Sequence, residues 1–197
     1  MTQSLRILVA DDEADMREYF QRALPAIGHQ VVGVAATGEE LVARCRDLQP
    51  DLVITDIKMP GLDGIDAAKQ IYQARPVPFI LVSAFYDPEL IERAEQEQIL
   101  AYLVKPIKQA DLEPAIAMAM YRFAQFKSLQ VEASSLRQAL EDRKIIERAK
   151  GILMLRANLS EPDAFRRLQK LARDQNRKLV DIATMIVTAE KALQPAP

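Results

Sequence analysis

The apolar residues of the first half of the chain form five short runs. They lie at 5–10, 30–34, 51–55, 79–82 and 101–104, and several are nearly continuous, such as RILVA, DLVIT and FILVS. Runs of this kind are typical of parallel strands that helices cover on both faces. Helical periodicity fills the stretches between them, at about 14–26, 38–48, 64–74, 87–97 and from 110 onward. This alternation predicts an α/β fold with a doubly wound, five-stranded parallel sheet.

A long helix is predicted to follow the last strand. From residue 110 to about 156 the only glycine is Gly151, and the only proline is Pro114, which lies in the first turn where proline is tolerated. A seam of apolar residues within this stretch has the 3, 4, 3, 4 spacing of a coiled coil. The seam consists of Phe126, Leu129, Ala133, Leu136 and Leu140. Its two heptads fit either dimerisation or packing onto a C-terminal domain.

Two further helices are predicted beyond the long one, at about 161–174 and 179–193. Asn158 is placed to close the long helix, and Ser160 with Asp163 three residues on marks the start of the next. Together with the end of the long helix, they predict a small three-helix all-α domain. The buried face of its middle helix is expected to contain Ala164, Phe165, Leu168, Leu171 and Ala172.

Composition excludes several classes of protein. The 197 residues are 49% hydrophobic and 27% charged, which excludes a disordered chain or a disulfide scaffold. No window approaches the ~18 apolar residues of a membrane span, and acids occur where a secretory signal would stay apolar. A single cysteine, Cys45, and a single histidine, His29, argue against a disulfide, a zinc site or a Cys/His catalytic pair. We therefore expect a cytoplasmic protein that makes no membrane contact.

Charge is distributed unevenly along the chain. Residues 1–120 hold 11 basic and 19 acidic side chains, a net charge of 11 − 19 = −8. Residues 121–197 hold 15 and 9, a net charge of 15 − 9 = +6, and the two parts add to the overall −2. This split favours an acidic domain that attracts a metal ion, joined to a basic domain that binds a polyanion.

Polar residues follow four of the predicted strands directly. These residues are Asp11, Asp12, Asp56, Ser83 and Lys105. In a doubly wound sheet the working crevice lies beyond the carboxyl ends of the strands, so the five side chains are expected to converge. Three carboxylates at one edge need a cation, and an oxygen-rich cluster of this kind suits Mg2+. Asp56 is the best placed to act as the nucleophile in phosphoryl transfer, with a tight loop of Pro60 and two glycines after it.

The segments ILVADDE, LVITDIKMPGLDG, FILVSA and YLVKP resemble, in this order, the receiver domain of two-component response regulators. The resemblance covers residues 5 to about 120 and implies a flavodoxin-like fold. It implies that Asp56 takes a phosphoryl group from a phosphohistidine on a sensor histidine kinase. It also implies that Mg2+ is held by Asp11, Asp12, Asp56 and the backbone carbonyl of Lys58.

The same resemblance assigns roles to three more residues. Ser83 would bond a phosphoryl oxygen, Lys105 would pair with the phosphoryl charge, and Tyr102 would occupy the aromatic switch position. In the family the bond between Lys105 and Pro106 is typically cis. The only reactions implied are the chain's own phosphorylation and dephosphorylation at Asp56, so we do not expect an enzyme acting on other substrates.

Basic residues line up in the second half of the chain. Arg166, Lys170, Arg173 and Arg177 share one side of the middle helix, opposite its predicted buried face. The preceding helix adds Arg143, Lys144, Arg148 and Lys150. Such a stripe favours contact with phosphates over a merely solvated face. The last predicted helix, LVDIATMIVTAEKAL, carries few side chains able to read the major groove, which weakens a DNA-binding interpretation.

The run IIERAKGILMLRANLSEPDAFRRLQKLARDQNRKLVDIA resembles the ANTAR domain, an output module of response regulators that act by transcription antitermination. The resemblance implies binding to RNA stem-loops in leader transcripts, controlled by phosphorylation through dimerisation or exposure of the bundle. Ala149, Lys150 and Gly151 match its most characteristic triplet, and Gly151 is expected to permit close approach of a helix or of RNA.

The sequence thus predicts three segments: a receiver domain at 1–120, a helical or coiled-coil linker at 121–135 and an RNA-binding three-helix domain at 136–197. The expected partners are a sensor histidine kinase, RNA stem-loops and a second copy of the chain after phosphorylation. Two alternatives stay open. One is a DNA-binding transcriptional regulator, and the other is a regulator that acts through protein contacts of the long helix.

Overall fold

A computed structural model of the protein describes residues 4–84 and 101–193. All five predicted strands are present and form one parallel sheet in the order β2-β1-β3-β4-β5. The strands are β1 Arg6–Ala10, β2 Gln30–Ala35, β3 Leu52–Asp56, β4 Phe79–Ser83 and β5 Ala101–Val104. This sheet confirms the predicted fold class. The helix predicted at 87–97 lies outside the described residues.

Alternate residues of the central strands build a core on each face of the sheet. Ile7 and Val9 of β1 point to one face, whereas Leu8 and Ala10 belong to the other, as the two-residue period of a strand requires. Helix α1 (Ala14–Ala26) and the start of α4 (Gln109–Ala157) cover the first face. Helices α2 (Gly38–Leu48) and α3 (Gly64–Ala74) cover the second. Because both faces are buried, the strand sequences are continuously apolar.

Side chains at the helix starts fix two of the connections near the carboxyl edge of the sheet. Thr37 accepts a hydrogen bond from the backbone N–H of Glu40 and so begins α2. Asp63 accepts one from the backbone N–H of Asp66 and begins α3. Both caps satisfy a donor that the first turn of a helix leaves without an intrahelical partner.

The only cysteine of the chain lies inside the second core. Cys45 of α2 is 5% exposed and belongs to the same cluster as Leu41 and Ile71. Burial raises the pKa of its thiol to about 11, against a weaker lowering by Arg75. The thiol is therefore protonated and shielded in the folded protein.

The chain divides into two compact units, residues 1–127 and 128–197, and α4 contributes to both. This helix is as long as the sequence predicted. Phe126, the first residue of the predicted seam, packs edge-on against Tyr72 of α3, with ring centroids 6.5 Å apart. By contrast, the three leucines of the seam, Leu129, Leu136 and Leu140, are 60 to 64% exposed.

The second unit is a three-helix bundle formed by the end of α4, α5 (Glu161–Asp174) and α6 (Leu179–Leu193). Asn158 closes α4 with a φ of 49°, and the Ser160 side chain accepts a hydrogen bond from the backbone N–H of Asp163. Its core includes the fully buried residues Ala149, Leu168 and Ala183, with Ile182 beside them. These starts and ends agree with the predicted ones.

One residue of the predicted buried face is placed differently. Phe165 is 37% exposed, whereas its neighbour Ala164 is fully buried. Successive residues of a helix differ by about 100° in direction, so Phe165 lies at the edge of the face rather than in it. The prediction that Phe165 is buried is therefore wrong.

Across residues 4–84 and 101–193, no helix combines the length and the hydropathy that a membrane crossing requires.

Candidate functional site

Asp56 ends β3 at the carboxyl edge of the sheet and is nearly buried. It pairs in register with Val82 of β4, and the backbone N–H of the next residue, Ile57, donates to the Val82 carbonyl at 3.1 Å. The N–H of Gly64 then donates to the Ile57 carbonyl at 2.9 Å and closes the loop that follows Asp56. The carboxylate is thus held by a strand on one side and a hydrogen-bonded loop on the other.

Two glycines allow this loop to fold so tightly. Gly61 adopts a φ of 75°, a conformation that strains any residue with a Cβ atom. At Gly64 a Cβ atom would lie 2.0 Å from the carbonyl oxygen of Asp56. Glu39 of α2 stabilises the loop as well, because its carboxylate accepts a hydrogen bond from the N–H of Leu62 at 3.0 Å.

Four acidic side chains meet at this edge. Asp11, Asp12, Glu13 and Asp56 each offer one carboxylate oxygen, and these oxygens all lie within 4.8 Å of one another. Backbone contacts hold the first loop in place: the N–H of Glu13 donates to Asp11 at 3.0 Å, and Arg17 donates to the carbonyl oxygens of Asp11 and Asp12. An oxygen-only donor set of this kind fits Mg2+.

Lys105, the residue after β5, supplies the positive charge that the cluster needs. Its Nζ atom lies 3.0 Å from Asp56, 3.1 Å from Asp11 and 3.2 Å from Glu13. Burial by itself would lower the pKa of Lys105, but the carboxylates of Asp56 and Asp11 outweigh it and raise that pKa. The ammonium group is therefore charged and is shared by three carboxylates.

Asp11 is the most deeply buried of the four acids, with no exposed surface. Burial raises its pKa, while Lys105 and the N–H of Glu13 act in the opposite direction. A carboxylate placed here gains from any further cation that approaches the cluster. This is a second reason why the donor set fits a divalent metal ion.

The structure thus brings together the predicted residues Asp11, Asp12, Asp56 and Lys105. It also adds Glu13, which the sequence reasoning missed because it followed only the residues directly after each apolar run. The signal was present, since Glu13 continues the acidic run that begins at Asp11.

Of three further predicted residues, Ser83 and Lys58 lie at the same edge, whereas Tyr102 lies two residues before the end of β5. Ser83 ends β4 and is buried, and its carbonyl accepts a hydrogen bond from the N–H of Lys105 at 2.8 Å. Tyr102 of β5 is half-buried against a small cluster of Ile57, Ile65 and Leu81. Lys58 is exposed, two residues after Asp56. The peptide bond between Lys105 and Pro106 is cis.

In the second unit most of the predicted basic residues are exposed. Among them are Arg143, Lys144, Arg148, Arg166, Lys170, Arg173 and Arg177. Some have acidic or sulfur partners: Lys144 pairs with Glu141, Arg166 pairs with Asp163 at 2.7 Å, and Arg177 donates to the sulfur of Met185. Their exposure leaves them accessible to a polyanion.

Lys150 differs from the other basic residues because it is only 8% exposed. Its Nζ atom pairs with Glu161 at 2.7 Å and with Glu147 at 2.9 Å, and these carboxylates raise the pKa of Lys150. The residues on either side also contrast. Ala149 is fully buried, whereas a Cβ atom added at Gly151 would meet no heavy atom of the described residues within 4 Å.

Comparisons with known proteins agree with this arrangement. The family model of the response regulator receiver domain matches residues 7–117, and that of the ANTAR domain matches residues 134–187. The transcriptional regulatory protein PdtaR of Mycobacterium tuberculosis is 41% identical over 182 residues, which cover 92% of this chain and 89% of that protein.

Two solved structures resemble the first unit. The signal receiver domain of a modulated diguanylate cyclase from Desulfovibrio desulfuricans G20 superimposes with a TM-score of 0.59 at 29% identity, covering 62% of this chain and 98% of that one. The response regulator domain of Thermotoga maritima CheB gives 0.57 at 30% identity, covering 60% and 98%. From these matches and from the acidic edge of the sheet, we conclude that the chain belongs to the response regulators, with a receiver domain followed by an ANTAR domain.

Proposed function

We propose that the chain is a phosphorylation-controlled regulator that binds RNA stem-loops and acts in transcription antitermination. The observation that carries the first half of this proposal is the Asp56 carboxylate, held 3.0 Å from the Lys105 ammonium beside three other acids. Phosphoryl transfer needs positioning and charge neutralisation more than acid or base chemistry, and this edge of the sheet supplies both.

In the proposed reaction Asp56 receives its phosphoryl group from a phosphohistidine of a sensor histidine kinase. An oxygen of the Asp56 carboxylate forms a bond to phosphorus, the bond from phosphorus to the histidine nitrogen breaks, and the imidazole leaves with the bonding electrons. The product is an acyl phosphate on Asp56. Water later attacks the phosphorus, which releases phosphate and restores the carboxylate.

Each nearby residue has a role in this proposal. Asp11, Asp12, Asp56 and the backbone carbonyl of Lys58 would hold Mg2+, which neutralises phosphoryl oxygens when it is bound. Lys105 stays charged beside Asp56 and would pair with the incoming phosphoryl group. Ser83, one residue beyond Val82 on β4, would donate its hydroxyl to a phosphoryl oxygen, and Tyr102 would report the change at the aromatic switch position.

The ANTAR match and the net charge of +6 over residues 121–197 support the second half of the proposal. The direct contacts to RNA phosphates are assigned to the exposed residues Arg143, Lys144, Arg148, Arg166, Lys170, Arg173 and Arg177, with Gly151 allowing the close approach of a strand. Lys150, which is paired with two carboxylates, holds the two helices of this surface together. Binding to a leader transcript would prevent a terminator from forming, which places the activity in the cytoplasm.

The phosphoryl transfer is tested by incubating the full chain with a radiolabelled small phosphodonor and Mg2+. We expect label on the parent and on Asp47→Asn, a control at an exposed helix position, but not on Asp56→Asn. Equal labelling of Asp56→Asn would contradict the assignment of the acceptor.

The choice of nucleic acid is tested separately by filter binding with a hairpin RNA and a duplex DNA of matched sequence. Tighter, salt-dependent binding of the hairpin is expected. Preference for the duplex would favour a DNA-binding regulator, and no salt-dependent binding of either would favour an output through protein contacts.

A further inference from the structure

Phe165 is the only aromatic residue after Phe126, and it does not lie in the core of the bundle. It is 37% exposed, although Ala164 before it and Leu168 after it have no exposed surface. Because part of this large aromatic ring lies outside the core, its exposed face is available to a ligand.

A fixed cation lies beside this ring. The Nζ atom of Lys150 lies over the Phe165 ring, 6.0 Å from its centroid. Lys150 cannot easily turn toward a ligand, because Glu147 and Glu161 hold its ammonium group at 2.9 and 2.7 Å. Glu161 belongs to α5 and Lys150 to α4, so these contacts join the two helices next to the ring. The ring is therefore held in place while part of its surface faces solvent.

Polar side chains continue from the ring along α5. Gln169 and Arg173 follow Phe165 at intervals of four residues, so the three share one side of the helix. Both are exposed, and together with Ala172 and Leu179 they line a shallow depression of about 350 Å³ between α5 and α6. An aromatic ring, an amide and a guanidinium group thus follow one another along the helix.

We propose that Phe165 is a stacking site for one unpaired base of the bound RNA. The amide of Gln169 hydrogen-bonds the edge of that base, and Arg173 contacts the adjoining phosphate. Sequence-specific recognition of RNA relies on unpaired loop bases that stack on aromatic rings and are read along their edges. This inference rests on the proposed RNA-binding function and assigns a base-recognition site within it.

The charges around the ring favour a polyanion such as RNA. The two acids in the first turn of α5 are already paired, Glu161 with Lys150 and Asp163 with Arg166. They therefore oppose an approaching phosphate less than free carboxylates would, and the domain carries a net positive charge.

The experiment measures binding of the full chain to a labelled hairpin pool with a short stem and a randomised loop, with and without a small phosphodonor and Mg2+. Phe165→Leu keeps an apolar side chain but removes the ring, and we expect roughly 5- to 150-fold weaker binding. Phe165→Tyr should restore the affinity. Leu155→Ala, which removes an exposed apolar side chain elsewhere in the same unit, should bind like the parent.

A second readout separates stacking from phosphate contact. Phe165→Leu should keep the parent's slope of log affinity against log salt, because no phosphate contact is lost, whereas Arg173→Ala should flatten it. A fluorescent adenine analogue placed in a selected loop should be quenched by the parent but not by Phe165→Leu. Gln169→Ala, an exposed change that spares the fold, should weaken binding and relax the loop sequences recovered from the pool.

The outcomes distinguish the two proposals. If the parent shows no salt-dependent binding to the pool, the RNA function itself is overturned, and this site with it. If the parent binds but Phe165→Leu and Gln169→Ala bind equally well, the RNA function stands and the stacking site is wrong. If Phe165→Leu changes only the association state of the protein, the ring covers a protein surface instead, which also overturns the stacking site.

Discussion

Lys105 is a single residue that pairs with three carboxylates, two of them buried. Replacing it with methionine keeps most of its aliphatic volume but leaves the acids uncompensated. We expect Lys105→Met to lower the free energy of unfolding by roughly 1 to 3 kcal/mol, less than for a fully buried pair because the side chain is partly exposed. Added Mg2+ should raise the melting temperature of this variant more than that of the parent.

The measurement is thermal unfolding with and without Mg2+, with Lys108→Met at a nearby exposed position as the control. If Lys105→Met melts with the parent in the absence of Mg2+, the ammonium group does not stabilise the acidic cluster.

Gly64 lies where a side chain has no room, because its Cβ atom would come within 2.0 Å of the Asp56 carbonyl oxygen. We expect Gly64→Ala to destabilise the receiver unit by roughly 1 to 3 kcal/mol or more, since backbone must move to relieve the clash. Gly151→Ala is the matched comparison. Gly151 lies within α4 with open space around it, so alanine there should stabilise by about 0.5 to 1 kcal/mol. Denaturant titration of both variants checks the opposite signs.

At the scale of the elements, local pattern was sufficient for the strands and most helices. Continuous apolar runs located all five strands to within one or two residues, because both faces of a parallel sheet must be buried. The convergence of Asp11, Asp12, Asp56 and Lys105 also followed from sequence, since parallel strands bring their carboxyl ends to one edge.

The side-chain environments of the second unit could not be predicted in this way. Phe165 lies at the boundary of an apolar face about 100° wide, and only the packing of α4 against α5 decides on which side of that boundary it falls. Lys150 is buried and is paired with Glu161, which lies on a different helix. A helical period in the sequence carries no information about such partners.

The exposed leucines of α4 belong to this scale as well. They lie on one seam, and an exposed apolar seam of this spacing is available to a second copy of the chain. We expect phosphorylation to promote a parallel dimer through Leu129, Leu136 and Leu140. Leu136→Lys with Leu140→Lys should weaken that dimer at least roughly tenfold without lowering stability, because both leucines are exposed in the single chain.

Sedimentation velocity with and without phosphodonor measures this association. Val131→Lys is the control, since Val131 is equally exposed but lies off the seam. If the double variant dimerises as strongly as the parent, the seam does not form the dimer interface.

At the scale of the whole molecule, the opposite charges of the two halves predict a strong dependence of RNA binding on salt. Each phosphate contact contributes roughly 0.7 to 0.9 to the slope of log affinity against log salt. Replacing Arg166, Lys170 and Arg173 together by alanine should therefore flatten the slope by about 2 to 3 while sparing the core, because all three are exposed. Hairpin binding at several salt concentrations measures this change.

Phosphorylation should alter the same measurement, because a regulator couples its receiver to its output by a difference in free energy between states. Parallel titrations of the phosphorylated and unphosphorylated chain test this. A triple variant with the parent's slope would place the RNA surface elsewhere, whereas an affinity unaffected by phosphorylation would contradict the coupling and leave the surface intact.

The burial of Cys45 makes the chain its own reporter of local opening. At pH 8 a thiol with a pKa near 11 is about one part in a thousand thiolate, and the core excludes reagents as well. A thiol-reactive dye should therefore label the folded protein far more slowly than the protein in urea, at a rate set by transient opening of the receiver unit. Since residues 128–197 contain no cysteine, labelling measures the receiver alone, while circular dichroism follows the helices of the ANTAR bundle too. Comparing the two signals through one denaturant series would show whether the two units of this regulator unfold in one step or in two.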